Sequence, residues 1–295
     1  MKRSTNVFLN APYAVWSAIF VVVPLLIVVV YAFTDAEGSF STDSIVALWE
    51  YRDNFQKSIL YSLVATVITL IIAYPFAYAL SKTSEKTQRI QMMLVMLPMW
   101  MNLLIRTYSW MNILDHNGIL NQLLTTVNLR PASFLGAAAA GDLLPSMPLA
   151  LKPATFLGTP GAVIFGMVYN YLPYMILPIY TVMAKMDGSL VEAARDLGCN
   201  GFNVWRRLIL PLSMPGVISG ITMVFVPSVS TFYISQKLGN GKIMLIGDTI
   251  ERQMQTLNNY NLGAALSLVL MVMILVSMFI MNRFADSSGE GGIVV

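Results

Sequence analysis

Charged side chains are scarce in this chain of 295 residues, of which 11% are Asp, Glu, Lys or Arg. A soluble domain of this size carries roughly 25% charged residues, because charge must cover its surface. The deficit therefore excludes most soluble enzymes. The net charge of +3 is too small to indicate a nucleic-acid partner. One cysteine, Cys199, and one histidine, His116, exclude an internal disulfide and argue against a metal site.

Long apolar runs take the place of charge, since 56% of the residues are hydrophobic. A helix of about 20 apolar residues crosses the ~30 Å hydrocarbon core of a bilayer, whereas a membrane barrel shows alternating segments of ~10 residues. The runs here are continuous, so the sequence predicts an all-α polytopic membrane protein with six transmembrane helices. The predicted spans are 13–33, 58–80, 90–114, 161–182, 215–234 and 262–281.

Basic residues indicate the orientation of these spans, because cytoplasmic loops are enriched in Lys and Arg. They are about twice as dense in one set of loops, which predicts that both termini are cytoplasmic. The predicted inner segments are 1–12, 81–89, 183–214 and 282–295, and the predicted outer loops are 34–57, 115–160 and 235–261.

The chain divides into a terminal region, one membrane domain and a tail. We expect the N-terminus, the first span and the first outer loop in 1–57, the transmembrane domain in 58–282 and a cytoplasmic tail in 283–295. Segment 131–160 holds five prolines, which forbid a spanning helix there. We therefore predict an irregular outer insert.

The predicted inner loop 188–211 holds two short helical patterns. Ser189 followed by Glu192 has the spacing of a capping box that starts a helix, and Gly198 is placed to end it in a left-handed turn. Apolar residues fall on one face of this first helix, and that stripe must pack on the same chain or on a cytoplasmic partner. The stripe consists of Leu190, Val191, Ala194 and Leu197.

A second short helix is predicted after Gly198. Phe202, Trp205 and Ile209 recur at helical spacing, and Pro211 is expected to help end the helix.

The same loop carries a family motif. Glu192-Ala193-Ala194, three residues, Gly198, nine residues and then Leu208-x-Leu210-Pro211 resembles the EAA loop of ABC-importer permeases with a type-1 transmembrane domain, with Leu208 where Ile is usual. The resemblance implies a coupling helix between spans four and five that docks on a separate ATPase. The ATPase-coupling residues would be Glu192, Ala193, Ala194, Gly198, Leu210 and Pro211.

The resemblance also implies the partners and the cell compartment. It implies a bacterial plasma membrane protein that works with a second homologous permease subunit, two ATPase subunits and an external substrate-binding protein. The chain has no complete phosphate-binding loop, because Ile243 follows Lys242 where Ser or Thr would bind Mg²⁺. We therefore expect no enzymatic activity and no cofactor in this chain, with ATP and Mg²⁺ bound by the partner ATPase.

The resemblance extends along nearly the whole chain to the B-type permease subunit of spermidine/putrescine transporters. It implies a translocation path for polyamines, for which aromatic faces are suitable partners. Our candidates for that path are Trp100, Tyr108, Phe232 and Tyr233. Gln236 stands where an acidic residue is expected, which weakens a simple carboxylate-for-ammonium account.

Arg106 is the one charge inside the predicted spans. It either extends to the outer interface along its aliphatic stem or is a buried structural or gating charge.

Three alternatives stay open at this point. A permease of the same class could carry thiamine, iron or sulfate instead of a polyamine. A secondary transporter driven by an ion gradient would be expected to have ionisable relay residues, but the predicted spans contain no Asp or Glu. An intramembrane protease would need a Ser/His or paired-Asp constellation, and the spans contain none.

Overall fold

The fold was analysed in a computed structural model that describes residues 12–13, 15–35, 37–123 and 156–289. These residues form helices and loops, with one isolated β-bridge between Thr34 and Phe40. Five helices are long and apolar enough to span a membrane, or six when one bent pair counts as a single span. The predicted all-α polytopic class is confirmed. The helices named below are α1 (Val15–Ala32), α2 (Arg52–Ser81), α3 (Glu85–Trp100), α4 (Leu103–Leu114), α5 (Pro160–Ala184), α6 (Gly188–Asp196), α7 (Gly201–Val229), α8 (Tyr233–Leu238), α9 (Ile246–Glu251) and α10 (Tyr260–Gly289).

Helix α5 is the centre of the bundle. It packs against α2 on one side and α7 on the other, and 56% of the residues in its most apolar 18-residue stretch are buried. Helix α1 packs mainly on α10, and only 6% of the residues in its own 18-residue apolar stretch are buried. Most of the surface of α1 is therefore left for lipid or for another protein.

Two glycines allow α7 to lie close to α5. A Cβ atom at Gly216 would lie 2.8 Å from the carbonyl oxygen of Pro178, and one at Gly220 would lie 2.6 Å from the sulfur of Met175. The two glycines are four residues apart, so they face the same side of α7. This close approach is the packing that small residues provide between membrane helices.

The third predicted span, 90–114, is not a single helix. It consists of α3 and α4, which meet at 89° across Met101 and Asn102. Met101 is extended, and the side chain of Asn102 caps α4 by accepting a hydrogen bond from Leu104 N at 2.8 Å. The cap satisfies an amide that the broken helix leaves without a backbone partner, so the break is stable.

The fifth predicted span, 215–234, was also wrong at its outer end. Helix α7 ends at Val229, and Phe232 and Tyr233 begin the separate short helix α8. The chain then forms α9 and a π-helical turn before α10. We call residues 230–256 the 230–256 segment.

The remaining predicted boundaries agree with the helices to within a few residues, except at the second and last spans. Helix α2 begins at Arg52, and α10 continues to Gly289, into the region predicted to be a tail. Most of the predicted outer insert 131–160 lies outside the described residues, as do 1–11 and 290–295.

Candidate functional site

The N-cap of helix α6 is Asp187 and not Ser189 of the predicted capping box. The side chain of Asp187 accepts a hydrogen bond from Ser189 N at 2.9 Å and is the N-cap, while Ser189 lies inside the helix. This hydrogen bond lowers the pKa of the Asp187 carboxyl, since it stabilises the ionised form. An aspartate also complements the positive end of the helix dipole, which a serine does not.

The end of α6 agrees with the prediction. Gly198 has φ +80°, in the left-handed region, and its amide donates to Arg195 O at 2.8 Å. Cys199 N donates to Ala194 O at 3.1 Å, which completes a Schellman motif. The turn directs the chain from α6 into α7.

The predicted apolar stripe of α6 is divided between two directions. Val191 and Ala194 pack on the core cluster formed by α2, α5 and α7. Leu190 and Leu197 are 46% and 86% exposed. Glu192 and Ala193 are exposed as well. The stripe therefore attaches the helix to the bundle through one pair of residues and leaves the other pair uncovered.

Helix α7 begins at the next cap and does not end at Pro211. Asn200 accepts a hydrogen bond from Asn203 N at 2.8 Å, and the helix then continues to Val229. A π-helical turn over Trp205–Ile209 precedes Leu210 and Pro211, so the proline stands in the first turn of the next α-helical segment, where its missing N–H is tolerated.

Aromatic contacts fix the start of α7. Trp205 lies edge-on to Tyr74 of α2 at 6.1 Å between ring centroids, and Phe202 lies 5.9 Å from Trp205. Phe202 itself is 63% exposed. It is a third exposed apolar side chain in this loop, with Leu190 and Leu197, and we call these three residues the exposed apolar face.

Two of the four predicted path residues meet in space. The rings of Tyr108 on α4 and Tyr233 on α8 are 6.3 Å apart in an edge-to-face arrangement. The ammonium of Lys237, one turn along α8, lies 5.4 Å from the centroid of Tyr108 and 5.7 Å from that of Tyr233. Both distances are within the range of cation–π attraction. The pair thus holds a primary ammonium, which the sequence did not predict.

The other two path candidates do not join this pair through a ring contact in the described part of the chain. Trp100 is the last residue of α3 and is 75% exposed, and Phe232 precedes α8 and is 44% exposed. Both lie at helix breaks and remain path candidates by position.

Arg106 is 9% exposed, so most of its side chain lies inside the bundle. Its Nε and Nη1 atoms have no hydrogen-bond partner among the residues that the structure describes. The alternative that we predicted, a buried charge, agrees with this position.

Much of the 230–256 segment is buried, although its sequence resembles a solvated loop. Ser58 of α2 accepts a hydrogen bond from Ile246 N at 2.8 Å, and Asn54 Nδ2 donates to Thr249 Oγ1 at 2.8 Å. Asp248 is only 5% exposed. Sequence reasoning missed this aspartate, because hydropathy assigns a polar residue in a loop to water.

Comparison with known proteins places the chain among transport proteins. A family model described as "Binding-protein-dependent transport system inner membrane component" matches residues 86–288. The spermidine/putrescine transport system permease protein PotB of Haemophilus influenzae is 35% identical over 294 residues, covering 96% of each protein. PotB of Escherichia coli is 33% identical over 265 residues, covering 87% of this chain and 89% of that relative.

Solved structures share the fold at lower identity. A crystal structure of a bacterial ABC transporter involved in import of the acidic polysaccharide alginate has a chain that matches with a TM-score of 0.70 and 16% identity, covering 96% of this chain and 98% of that one. The family match covers more than half of the sequence, and the described helices agree with the fold. The chain therefore belongs to the family of inner membrane components of binding-protein-dependent transport systems.

Proposed function

We propose that the chain is the permease subunit of an ATP-driven importer and forms the translocation path for polyamines such as spermidine and putrescine. One observation in the structure supports this substrate class. Tyr108 and Tyr233 hold the ammonium of Lys237, and a polyamine ends in the same chemical group. The names of the PotB relatives support the same assignment. Trp100 and Phe232, at the neighbouring helix breaks, are proposed to line the path with this pair.

The exposed apolar face supports a protein partner at the predicted cytoplasmic end. Leu197 is 86% and Phe202 is 63% exposed, although both are large and apolar. Clustered exposed apolar side chains mark interaction sites, because water solvates them poorly. We propose that a separate ATPase subunit covers this face and contacts Glu192, Ala193 and Ala194, while Gly198 positions the helix. Leu210 and Pro211, which lie within α7, are proposed to connect that contact to the rest of the helix.

Val191 and Ala194 give this contact a route into the membrane domain. Both side chains pack on the core cluster that contains Met175 and Ile179 of α5. A movement imposed on α6 by ATP binding would therefore be transmitted to the central helix of the bundle, and helix shifts of this kind switch the accessible side of transporters. ATP and Mg²⁺ would be bound by the ATPase.

The proposed assembly has a second homologous permease subunit, two ATPase subunits and an external binding protein, in a bacterial plasma membrane. Both termini are proposed to be cytoplasmic. The positions of α6 and the 230–256 segment at opposite ends of α7 are consistent with one cytoplasmic and one external face.

The test is uptake of radiolabelled spermidine into proteoliposomes that contain the permease pair, the ATPase and the binding protein. We expect uptake that requires ATP hydrolysis and the binding protein. We also expect Tyr233→Leu to reduce it several-fold and Trp16→Leu, on the exposed first helix, to leave it unchanged. Uptake of thiamine, iron or sulfate in place of spermidine would contradict the polyamine assignment, and uptake that follows a proton gradient without ATP would contradict the importer class.

A further inference from the structure

A cavity of about 250 Å³ lies within the 230–256 segment. Its lining includes two carboxylates, one amide, two apolar side chains and one guanidinium. They are the side chains of Gln236, Ile243, Met244, Asp248, Glu251 and Arg252. The cavity is open to the surface, since Gln236 and Arg252 are exposed. It lies at the end of the bundle that is predicted to be external.

Asp248 is the unusual member of this lining. It is 5% exposed, and its Oδ2 atom accepts a hydrogen bond from Leu245 N at 2.8 Å. Its Oδ1 atom has no hydrogen-bond partner among the residues that the structure describes, since the nearby Ser235 hydroxyl donates to Phe232 O at 3.0 Å. A buried carboxylate oxygen without a partner is costly, so a cation or a donor from a ligand is expected beside it.

The backbone around Asp248 is held rigidly. Gly247 lies so close to the carbonyl oxygens of Ser230 and Thr231 that a Cβ atom would approach them to 2.7 and 2.6 Å. The amide of Ile246 donates to Ser58 on α2. The carboxylate is therefore carried by a fixed stretch of backbone, as a binding site requires.

The charge of the lining favours a cation. Glu251 lies three residues after Asp248, on the same side of α9, and is partly buried. Arg252 lines the cavity as well, but it makes no ion pair within 4.0 Å to either carboxylate in the described part of the chain, and its Nη1 lies 3.8 Å from the sulfur of Met244. With both carboxylates ionised, the lining carries one net negative charge.

The protonation of Asp248 fits this role. Burial raises its pKa to about 6, opposed by the hydrogen bond from Leu245 N and by the nearby Ser235 hydroxyl, while the charge of Glu251 raises it further. The carboxylate is therefore mostly ionised near neutral pH and can accept an ammonium. A bound cation would lower the pKa again.

We propose that this cavity binds one terminal primary ammonium of a polyamine through the carboxylates of Asp248 and Glu251, an assignment that rests on the proposed function. The adjoining methylene groups would lie against Ile243 and Met244. This carboxylate pair replaces the acidic side chain that the sequence lacks at Gln236, which lines the same cavity. Gln236 and Lys237 are neighbours on α8, so the carboxylate cavity and the Tyr108–Tyr233 pair flank the same short helix.

The experiment measures occupancy of the cavity directly. Cys199 is the only native cysteine, so the variant Cys199→Ser with Gln236→Cys carries a single thiol at the cavity. The assembled transporter is treated with a membrane-impermeant maleimide from outside, with spermidine, putrescine or MgCl₂ at equal ionic strength. We expect spermidine to slow labelling at least 3-fold and MgCl₂ to have little effect. A second reporter, Thr256→Cys, guards against perturbation at Gln236.

Neutralising the carboxylates tests their role. We expect Asp248→Asn to abolish the protection by spermidine and Glu251→Gln to weaken it, while the Asn amide oxygen can still accept the hydrogen bond from Leu245 N. Asp53→Asn removes the same charge from an exposed residue outside the cavity and should leave the protection unchanged. Protection that persists in Asp248→Asn, or that MgCl₂ reproduces, would overturn the proposal.

Uptake measured in the same vesicles separates this proposal from the proposed function. Spermidine uptake without protection would overturn the cavity and leave the function. Protection by spermidine without its uptake would support an ammonium site and overturn the function.

Discussion

The two ends of the bundle distribute polar and apolar side chains in opposite ways. On α6, the large apolar residue Leu197 is 86% exposed, whereas the 230–256 segment buries the carboxylate of Asp248 to 5% exposure. Asp187, at the first end, is an exposed cap with a lowered pKa, while burial raises the pKa of Asp248 to about 6. The α6 end therefore exposes apolar side chains that a protein partner would cover. The 230–256 segment instead buries a carboxylate with one oxygen that has no partner in the described part of the chain. This difference is the reason for proposing a protein partner at one end and a solute site at the other.

The largest effect is expected when the apolar contact is broken. Leu197→Glu would place a charge in the proposed interface, which costs about 2–4 kcal/mol at a central interface residue, or roughly 30- to 1,000-fold in affinity. The measurement is binding of the ATPase subunit to the purified permease pair. Leu257→Glu, at the opposite end and 53% exposed, is the matched control and should not change this affinity. Equal losses of ATPase affinity in both variants would contradict the placement of the protein interface at the α6 end.

The stability of the protein should depend on pH because the carboxylate of Asp248 is buried. The pKa of Asp248 in the folded protein, about 6, is above the ordinary value of 3.8, so folding disfavours its ionised form. Its full contribution to stability is present below pH 3.8 and is lost as the pH rises through about 6. The loss is about 3 kcal/mol.

Unfolding measured between about pH 4 and pH 7.5, with wild type compared to Asp248→Asn, tests this expectation. The variant should become the more stable of the two as the pH rises, because it has no charge to bury. A difference between the two proteins that does not change with pH would contradict the burial of an ionisable group at this end.

Close packing of the 230–256 segment should appear as a third effect. In Gly247→Ala, the added Cβ would meet the backbone oxygens of Thr231 and Ser230 at 2.6 and 2.7 Å, and backbone cannot rotate away. Such overpacking costs about 1–3 kcal/mol. The control is Gly161→Ala, where the nearest atom lies at 3.8 Å. The measurement is the free energy of unfolding in detergent. Equal stability of the two variants would show that the backbone around Gly247 shifts to accommodate the added Cβ atom.

A smaller effect is expected at the turn after α6. Gly198 and Gly188 both have open space where a Cβ atom would lie, but only Gly198 has a positive φ, +80°. Gly198→Ala should therefore lower the free energy of unfolding in detergent by about 1–2 kcal/mol through backbone strain alone. Gly188→Ala should be close to wild type. If Gly198→Ala were as stable as Gly188→Ala, the turn would not require the left-handed conformation.

The smallest effect concerns Lys237. If its ammonium occupies the aromatic pair in place of substrate, Lys237→Gln removes an internal competitor and lowers the KM for spermidine uptake about 2- to 5-fold, as expected from a cation–π contact of about 0.5–1 kcal/mol. Lys242→Gln removes an equal charge from an exposed position nearby and is the control. A higher KM in Lys237→Gln would contradict the competition.

Hydropathy predicted the span of α5 to within two residues at both ends, because that helix is uninterrupted. Hydropathy failed at Met101–Asn102 and near Thr231, because a break of two or three residues scarcely changes the average over a whole span. Asn102, a strong capping residue inside an apolar run, was the one local sign of the first break.

Local turn chemistry was predictable only where one residue type fits. Gly198 was predicted correctly, because a left-handed turn at a helix end favours glycine. The N-cap was misplaced by two residues, because Asp187 and Ser189 are both good caps and their spacing alone cannot rank them. The burial of Asp248 could not be predicted, since it depends on Ser58 and Asn54, which are distant in sequence.

Helix α7 has a consequence for how the two ends communicate. It runs without a break over 29 residues, from the turn after Gly198 to the edge of the 230–256 segment, which is about 43 Å at 1.5 Å per residue. Its backbone contains a π-helical turn at Trp205–Ile209 and two interior prolines, Pro215 and Pro227. A tilt imposed at Phe202 would therefore arrive at Ser230 and Thr231 as a displacement of the backbone that holds Gly247. Under the proposed function, a movement of the ATPase would in this way reach the proposed solute cavity through a single helix.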